Sequence, residues 1–115
     1  MQYALLIYNP EAGPANPSSD EMRKAVAAYK AFTEALKQSG AYTNSHGLAG
    51  GSAATTVRVR NGKSQVVNGP YADSKEQLGG IYLIDVADLD AALSWAARCP
   101  SAEWGAVEVR PLWGG

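Results

Sequence analysis

The segment "YADSKEQ", residues 71–77, sets a phenol, two carboxylates and an ammonium within six positions. Pro70 comes just before it and fixes the direction of the chain, because proline locks its own φ and restrains the residue ahead of it. Such a mixed set suits a small carboxylated or carbonyl compound. Asp73 is a candidate base and Tyr71 a hydroxyl that orients the ligand or stabilises charge, with Asn68, Lys75 and Glu76 as polar contacts. Arg58 joins them if the hairpin that carries it folds over the same edge. The plainer reading is a solvated connector whose charges pair loosely with one another, since exposed ion pairs contribute little.

His46 is the only histidine, and no Cys, Asp or Glu lies near it at ligand spacing, so no metal site is expected. Two readings of it stay open: a structural histidine at a strand end, or a cleft residue that carries a proton in catalysis. Cys99 falls at the end of a helical stretch, where the dipole disfavours a thiolate, and reads as packing. The glycines form no phosphate loop: G-x-x-x-x-G-K-[ST] is absent, and "AGGS" lacks the strand-to-helix setting. No cofactor is expected.

These groups need a scaffold, and 115 residues are enough for one domain spanning 1–115, since domains of roughly 100–150 residues are the commonest. A composition that is 46% hydrophobic and 18% charged forms a core and argues against disorder. Ten basic against eleven acidic residues leave a net charge of -1, without the basic excess that nucleic acid or an anionic membrane demands. The opening "MQYALLIYNP" has no basic start or cleavage site, and its apolar run falls short of the ~20 residues of a membrane span. The expectation is a soluble cytoplasmic protein.

"YALLIY" (3–8) predicts a strand apolar on both faces, stopped by Asn9-Pro10. Residues 9–18 read as loop. "SSDEMRKAVAAYKAFTEALKQSG" predicts a helix ending at Gly40, with Met22, Val26, Tyr29, Phe32 and Leu36 as its apolar stripe. A weak strand follows at 41–48. Asn61-Gly62 joins two strand-like runs and predicts a type I′ hairpin, whereas Asn68-Gly69, met at once by Pro70, predicts a strand end. Residues 79–86 predict a second strand apolar on both faces, with Gly79-Gly80 permitting a bulge or a close backbone approach. "DLDAALSWAARCP" predicts a short helix capped by Asp88, with Leu89, Ala92, Leu93 and Ala96 facing inward. Residues 105–113 predict the last strand.

The order β-α-β, hairpin, β-α-β predicts an α+β ferredoxin-like βαββαβ sandwich with an inserted β-hairpin, both helices on one face of an antiparallel sheet. The other face is then open, and Ala4, Leu6 and Tyr8, or Tyr82 and Ile84, fall on it. Burying each large apolar side chain is worth about 1.5–3 kcal/mol, so a sheet-to-sheet homodimer is expected.

"NGPYADSKEQLGGIYLIDVADLDAALSWAARCP" and "VEVRP", with "YALLIY", "AYKAFTEAL" and "ATTVRVRNGKSQVV", resemble the YCII-related, DGPF-type family of small bacterial proteins. The likeness spans nearly the whole chain apart from 9–18 and 43–52. It implies a dimeric α+β barrel shared with muconolactone isomerases and with monooxygenases that need no cofactor. It also implies a binding protein or enzyme for small molecules, in a family thought to use a histidine–aspartate pair in a cleft and to include lyase-like chemistry on ring compounds. Relatives are often encoded beside alternative sigma factors, which implies as a rival a non-enzymatic interaction module linked to transcription regulation.

Two positions depart from the family's pattern. Its Asp-Gly-Pro-Phe reads here Asn68-Gly69-Pro70-Tyr71, and asparagine takes no proton. If the aspartate is the base, worth typically 10²–10⁴-fold, the step is lost or moved to Asp73 or Glu76. If it caps a turn, asparagine serves as well. The family's helix-one histidine falls near Tyr29, and His46 is no obvious substitute. The leading expectation is a cofactor-free lyase or isomerase type of protein acting by acid/base chemistry on an unknown small organic ligand.

Overall fold

The structure is a computed structural model that describes residues 1–10, 19–72 and 74–114. Four strands form the main antiparallel sheet: β1 (Gln2–Pro10), β2 (Tyr42–Gly47), β5 (Glu76–Asp85) and β6 (Ala106–Pro111). Their order across the sheet is β2-β5-β1-β6, with β1 antiparallel to both β5 and β6. Helices α1 (Ser19–Ser39) and α2 (Leu89–Arg98) follow β1 and β5 and cover one face. This is the α+β ferredoxin-like arrangement. Strands β3 (Thr55–Arg60) and β4 (Lys63–Asn68) stand apart from it as a two-stranded sheet.

Alternation along β1 sends Tyr3, Leu5 and Ile7 beneath the helices, where they meet Phe32 and Leu36 of α1 and Ala92 and Ala96 of α2. Register then settles β5. Tyr3 pairs with Ile84 and Leu5 with Tyr82, so Tyr82 and Ile84 join this core. Ala4, Leu6 and Tyr8 take the open face instead, beside Ile81 and Leu83. The pattern alone allows either phase for β5, because both of its faces are apolar.

Local signals fix the helix ends. Asp20 and Glu21 lie in the first turn of α1 and Lys37 in its last, each complementing the helix dipole. Gly40 closes the helix at φ +81°, where its N–H donates to the Lys37 carbonyl and that of Ala41 to Leu36. These two bonds make a Schellman motif, and the contact between buried Ala41 and Leu36 completes it. The Asp88 carboxylate accepts from the Ala91 N–H at 2.9 Å and caps α2. The inward stripe of α2 is shifted from the sequence expectation. Ala92, Trp95, Ala96 and Cys99 pack inward, while Leu89 and Leu93 are about half exposed. On α1 the stripe narrows to Tyr29, Phe32 and Leu36, leaving Met22 and Val26 exposed.

β5 begins earlier than its apolar run suggests. Ile7 pairs with Gly80 but Tyr8 with Leu78, so Gly79 is the extra residue of a β-bulge and Glu76–Leu78 continue the strand beyond it. Asn61 and Gly62, at φ 54° and 75°, make the tight turn of the hairpin. At Asn68-Gly69-Pro70 the strand stops. No described helix is long and apolar enough to cross a membrane.

Candidate functional site

Two hollows lie around the end of β5. The inner pocket, about 310 Å³, opens between α1 and the sheet, with Ile7, Asn9, Tyr29, Ser45, Gly79 and Tyr82 in its wall. The Gly79 bulge forms one side, because a strand that lengthens by one residue bends away from its neighbour. The outer cleft, about 730 Å³, lies between the base of the hairpin, the segment 48–54 and the loop after Pro70. A third depression of about 410 Å³ shares Asn9 and Gly79 with the first and Gly51, Gln77 and Leu78 with the second. The third depression thus lies between the other two at the end of the sheet, and the inner and outer hollows share no lining residue.

Aromatic packing shapes the inner wall. Tyr29 stacks on Tyr82 with centroids 6.4 Å apart, and Phe32 meets Tyr82 edge-on at 5.2 Å. The hydroxyls run into an ordered chain of hydrogen bonds. Tyr29 bonds Ser101, and Ser101 donates to Asn9 Oδ1 at 2.8 Å. Trp104 Nε1 donates to the same oxygen at 3.1 Å. On the far side Thr33 donates to the Tyr29 carbonyl at 2.9 Å and bonds the Tyr82 hydroxyl at 2.7 Å. Tyr42 and Ser45 pair at 2.8 Å.

Burial pushes the Tyr29 and Tyr82 phenols up and outweighs the opposing effect of their hydrogen bonds with Ser101 and Thr33. Both phenols therefore stay protonated at neutral pH and serve as hydrogen-bonding groups, not as bases. Burial also raises the Cys99 thiol, which sits 3.7 Å from the Tyr29 hydroxyl. A thiol held protonated and buried is an inert one, in keeping with a packing role.

A family model described as the YCII-related domain matches residues 1–114. The chain belongs to the YCII-related family. It is similar to an uncharacterised protein of Rhizobium meliloti (strain 1021), 38% identical over 114 residues, which covers 97% of this chain and 92% of that protein.

On this YCII-related scaffold the loop candidates partly converge. Tyr71 and Glu76 line the outer cleft, and the Arg58 guanidinium lies 4.9 Å from the centroid of the Tyr71 ring. Tyr71 is 74% exposed, so this pair stands at the mouth. Asn68 closes β4 opposite Thr55, and neither it nor Lys75 lines the cleft. Lys75 and Glu76 form no ion pair with each other. Asp73 lies outside the described residues. His46 pairs with Ile81, which places its ring on the open face, while its backbone borders the inner pocket beside Gly80. Among the described residues no group of three His, Cys, Asp or Glu side chains could hold a metal ion.

The inner pocket of this YCII-related chain is built largely from residues that sequence spacing does not single out. Asn9 reads as a strand stop, yet Asn9 and Ser101 bond across 92 positions. The one local hint is Gly79-Gly80, whose bulge makes room for the Asn9 amide.

Proposed function

We propose that this YCII-related protein binds a small organic ring compound at the end of its sheet. The ring sits in the inner pocket and the outer cleft supplies groups for cofactor-free acid/base chemistry. The aromatic inner pocket at the β5 bulge, with a third depression between it and the outer cleft, supports this reading most strongly. The inner one offers aromatic walls with few polar groups, the makeup of small-molecule sites, and its volume falls at the small end of their 300–1,000 Å³ range. The outer one brings Tyr71 and Glu76 to its lining, with Arg58 over the Tyr71 ring. Asp73, in the same loop, is the proposed base, with Glu76 as the alternative. Turnover of a lactone by the wild type that is lost in Asp73→Asn and retained in Lys75→Ala tests that assignment. Equal turnover in all three removes Asp73 from the reaction.

The open sheet face is proposed to bury itself against a second copy of the chain. Ala4, Leu6, Ile81 and Leu83 form its apolar centre, and the Tyr8–Glu108–Arg110 network lies at its margin. An apolar centre with a polar rim is the makeup of protein interfaces.

The hairpin favours a second reading, that of an interaction module. Val57, Val59 and Val66 share one hairpin face and are 60%, 58% and 63% exposed. A two-stranded hairpin is marginal alone in water, so this face gains most from a partner surface. Loss of a partner on Val59→Thr/Val66→Thr, with ring-compound binding unchanged, distinguishes this role from the first.

A further inference from the structure

We propose that Asn9 is the residue through which the inner pocket recognises its ligand, and that it takes a carbonyl-type oxygen on an uncharged ring. The inference rests on the reading of that pocket as a binding site.

An indole N–H only donates, so the group facing Trp104 Nε1 at 3.1 Å must be the Asn9 oxygen, and this fixes the orientation of the amide. Ser101 reaches the same Oδ1 at 2.8 Å and spends its single hydroxyl proton there. Ser101 can then only accept from Tyr29, which commits the Tyr29 proton. Thr33 spends its own proton on the Tyr29 carbonyl, so Tyr82 must donate to Thr33. Both phenols of the pocket have thus given their protons to the protein.

The Ser45 hydroxyl is paired with Tyr42 at 2.8 Å, and the Asn9 Nδ2 group remains. It lies against Gly79 in the wall that the two residues share, 2.7 Å from where a Gly79 β-carbon would stand. Two N–H donors on a fixed amide seek an acceptor, and desolvating them without one costs free energy. The ligand's acceptor is uncharged, because no lysine or arginine lines this pocket and an unpaired carboxylate there is costly. Its body is a ring, since it packs beside Ile7 and the Tyr29–Tyr82 pair. Trp104 and Ser101 act through Asn9, as positioning residues that hold its oxygen and so aim its nitrogen.

The test compares coumarin with 2H-chromene, the same bicycle without the carbonyl, by ¹⁵N-detected titration of the full chain. The Asn9 side-chain amide pair is assigned by through-bond correlation and confirmed with Asn9→Ser. Coumarin is expected to move that pair and to bind about 3–10-fold more tightly than 2H-chromene, the range of one net hydrogen bond. Trp104→Phe is expected to reduce this preference towards unity while 2H-chromene binds unchanged, an effect that a merely structural role for Trp104 does not give. Equal binding of the two compounds, with backbone shifts at Ile7 and Gly80 but a still Asn9 amide, overturns the role of Asn9 and leaves the pocket as a site. Absence of any pocket shift with either compound overturns both readings.

Discussion

The Asn9 amide lies across Gly79, its nitrogen 2.7 Å from the point that a β-carbon on Gly79 would occupy. The contact couples a bulge in β5 to a side chain on β1. A free asparagine would swing aside for a methyl group, but this one is pinned through its oxygen by Ser101 and Trp104. Gly79→Ala is therefore expected to destabilise the fold by about 1–3 kcal/mol, the usual range for overpacking. Urea unfolding measures it, and a change within 0.5 kcal/mol, about the scatter of neutral surface substitutions, contradicts the pinning.

Ser101 is almost fully buried between Tyr29 and Asn9. Ser101→Ala leaves the Tyr29 hydroxyl without its acceptor and is expected to cost about 1–3 kcal/mol. Tyr29→Phe should cost less in the Ser101→Ala background than in the wild type, because the bond it would break is already gone. A double-mutant cycle by chemical unfolding gives the coupling, expected at about 0.5–3 kcal/mol for residues in one network. Simple additivity contradicts the relay.

Alkaline pH weakens the fold through the same cluster. Burial raises Cys99 from an ordinary value of 9.0, and Tyr82 and Tyr29 from 10.0. Above those values the unfolded chain loses protons that the folded chain keeps, so stability falls as pH rises. The contribution is fully present below the unfolded pKa values and disappears as pH climbs through the raised folded ones. Thermal midpoints of the wild type and Cys99→Ala, followed from pH 7 to 11, should run in parallel below about pH 8.5 and converge or cross above about pH 9. Curves that stay parallel throughout contradict this.

Much of the fold is legible in the sequence because its signals are local. Asn61-Gly62 encodes its turn, Gly40 its helix stop and Asp88 its cap within four residues of the structure each creates. The phase of β5 is not legible, since Ile81, Tyr82, Leu83 and Ile84 are all apolar and only pairing with β1 decides which of them meet the helices. The outer cleft is legible in part: the loop announces Tyr71 and Glu76 through charge and Pro70. The inner pocket is hidden because Asn9, Tyr29, Ser45 and Tyr82 come from four separate elements and are neutral. No spacing rule links residues that meet only through tertiary packing.

The open sheet face carries its own expectation. Leu83→Glu puts a carboxylate among Ala4, Leu6 and Ile81, where a second copy is proposed to sit. Light scattering at micromolar concentration should give a dimer for the wild type and a folded monomer for Leu83→Glu. A wild-type monomer at that concentration, or a Leu83→Glu dimer, contradicts burial of this face.

The inner pocket is proposed to hold a small ring compound. A thermal-shift titration of the wild type with lactones and phenols, beside a Ser45→Trp variant that fills the pocket, tests it most directly. Ligand at 100 times its dissociation constant adds about 2.7 kcal/mol of stability, so a binder raises the midpoint clearly. The expected result is a raised midpoint in the wild type that vanishes in a folded Ser45→Trp. A flat response of the wild type across the panel, or an equal shift in the filled variant, contradicts it.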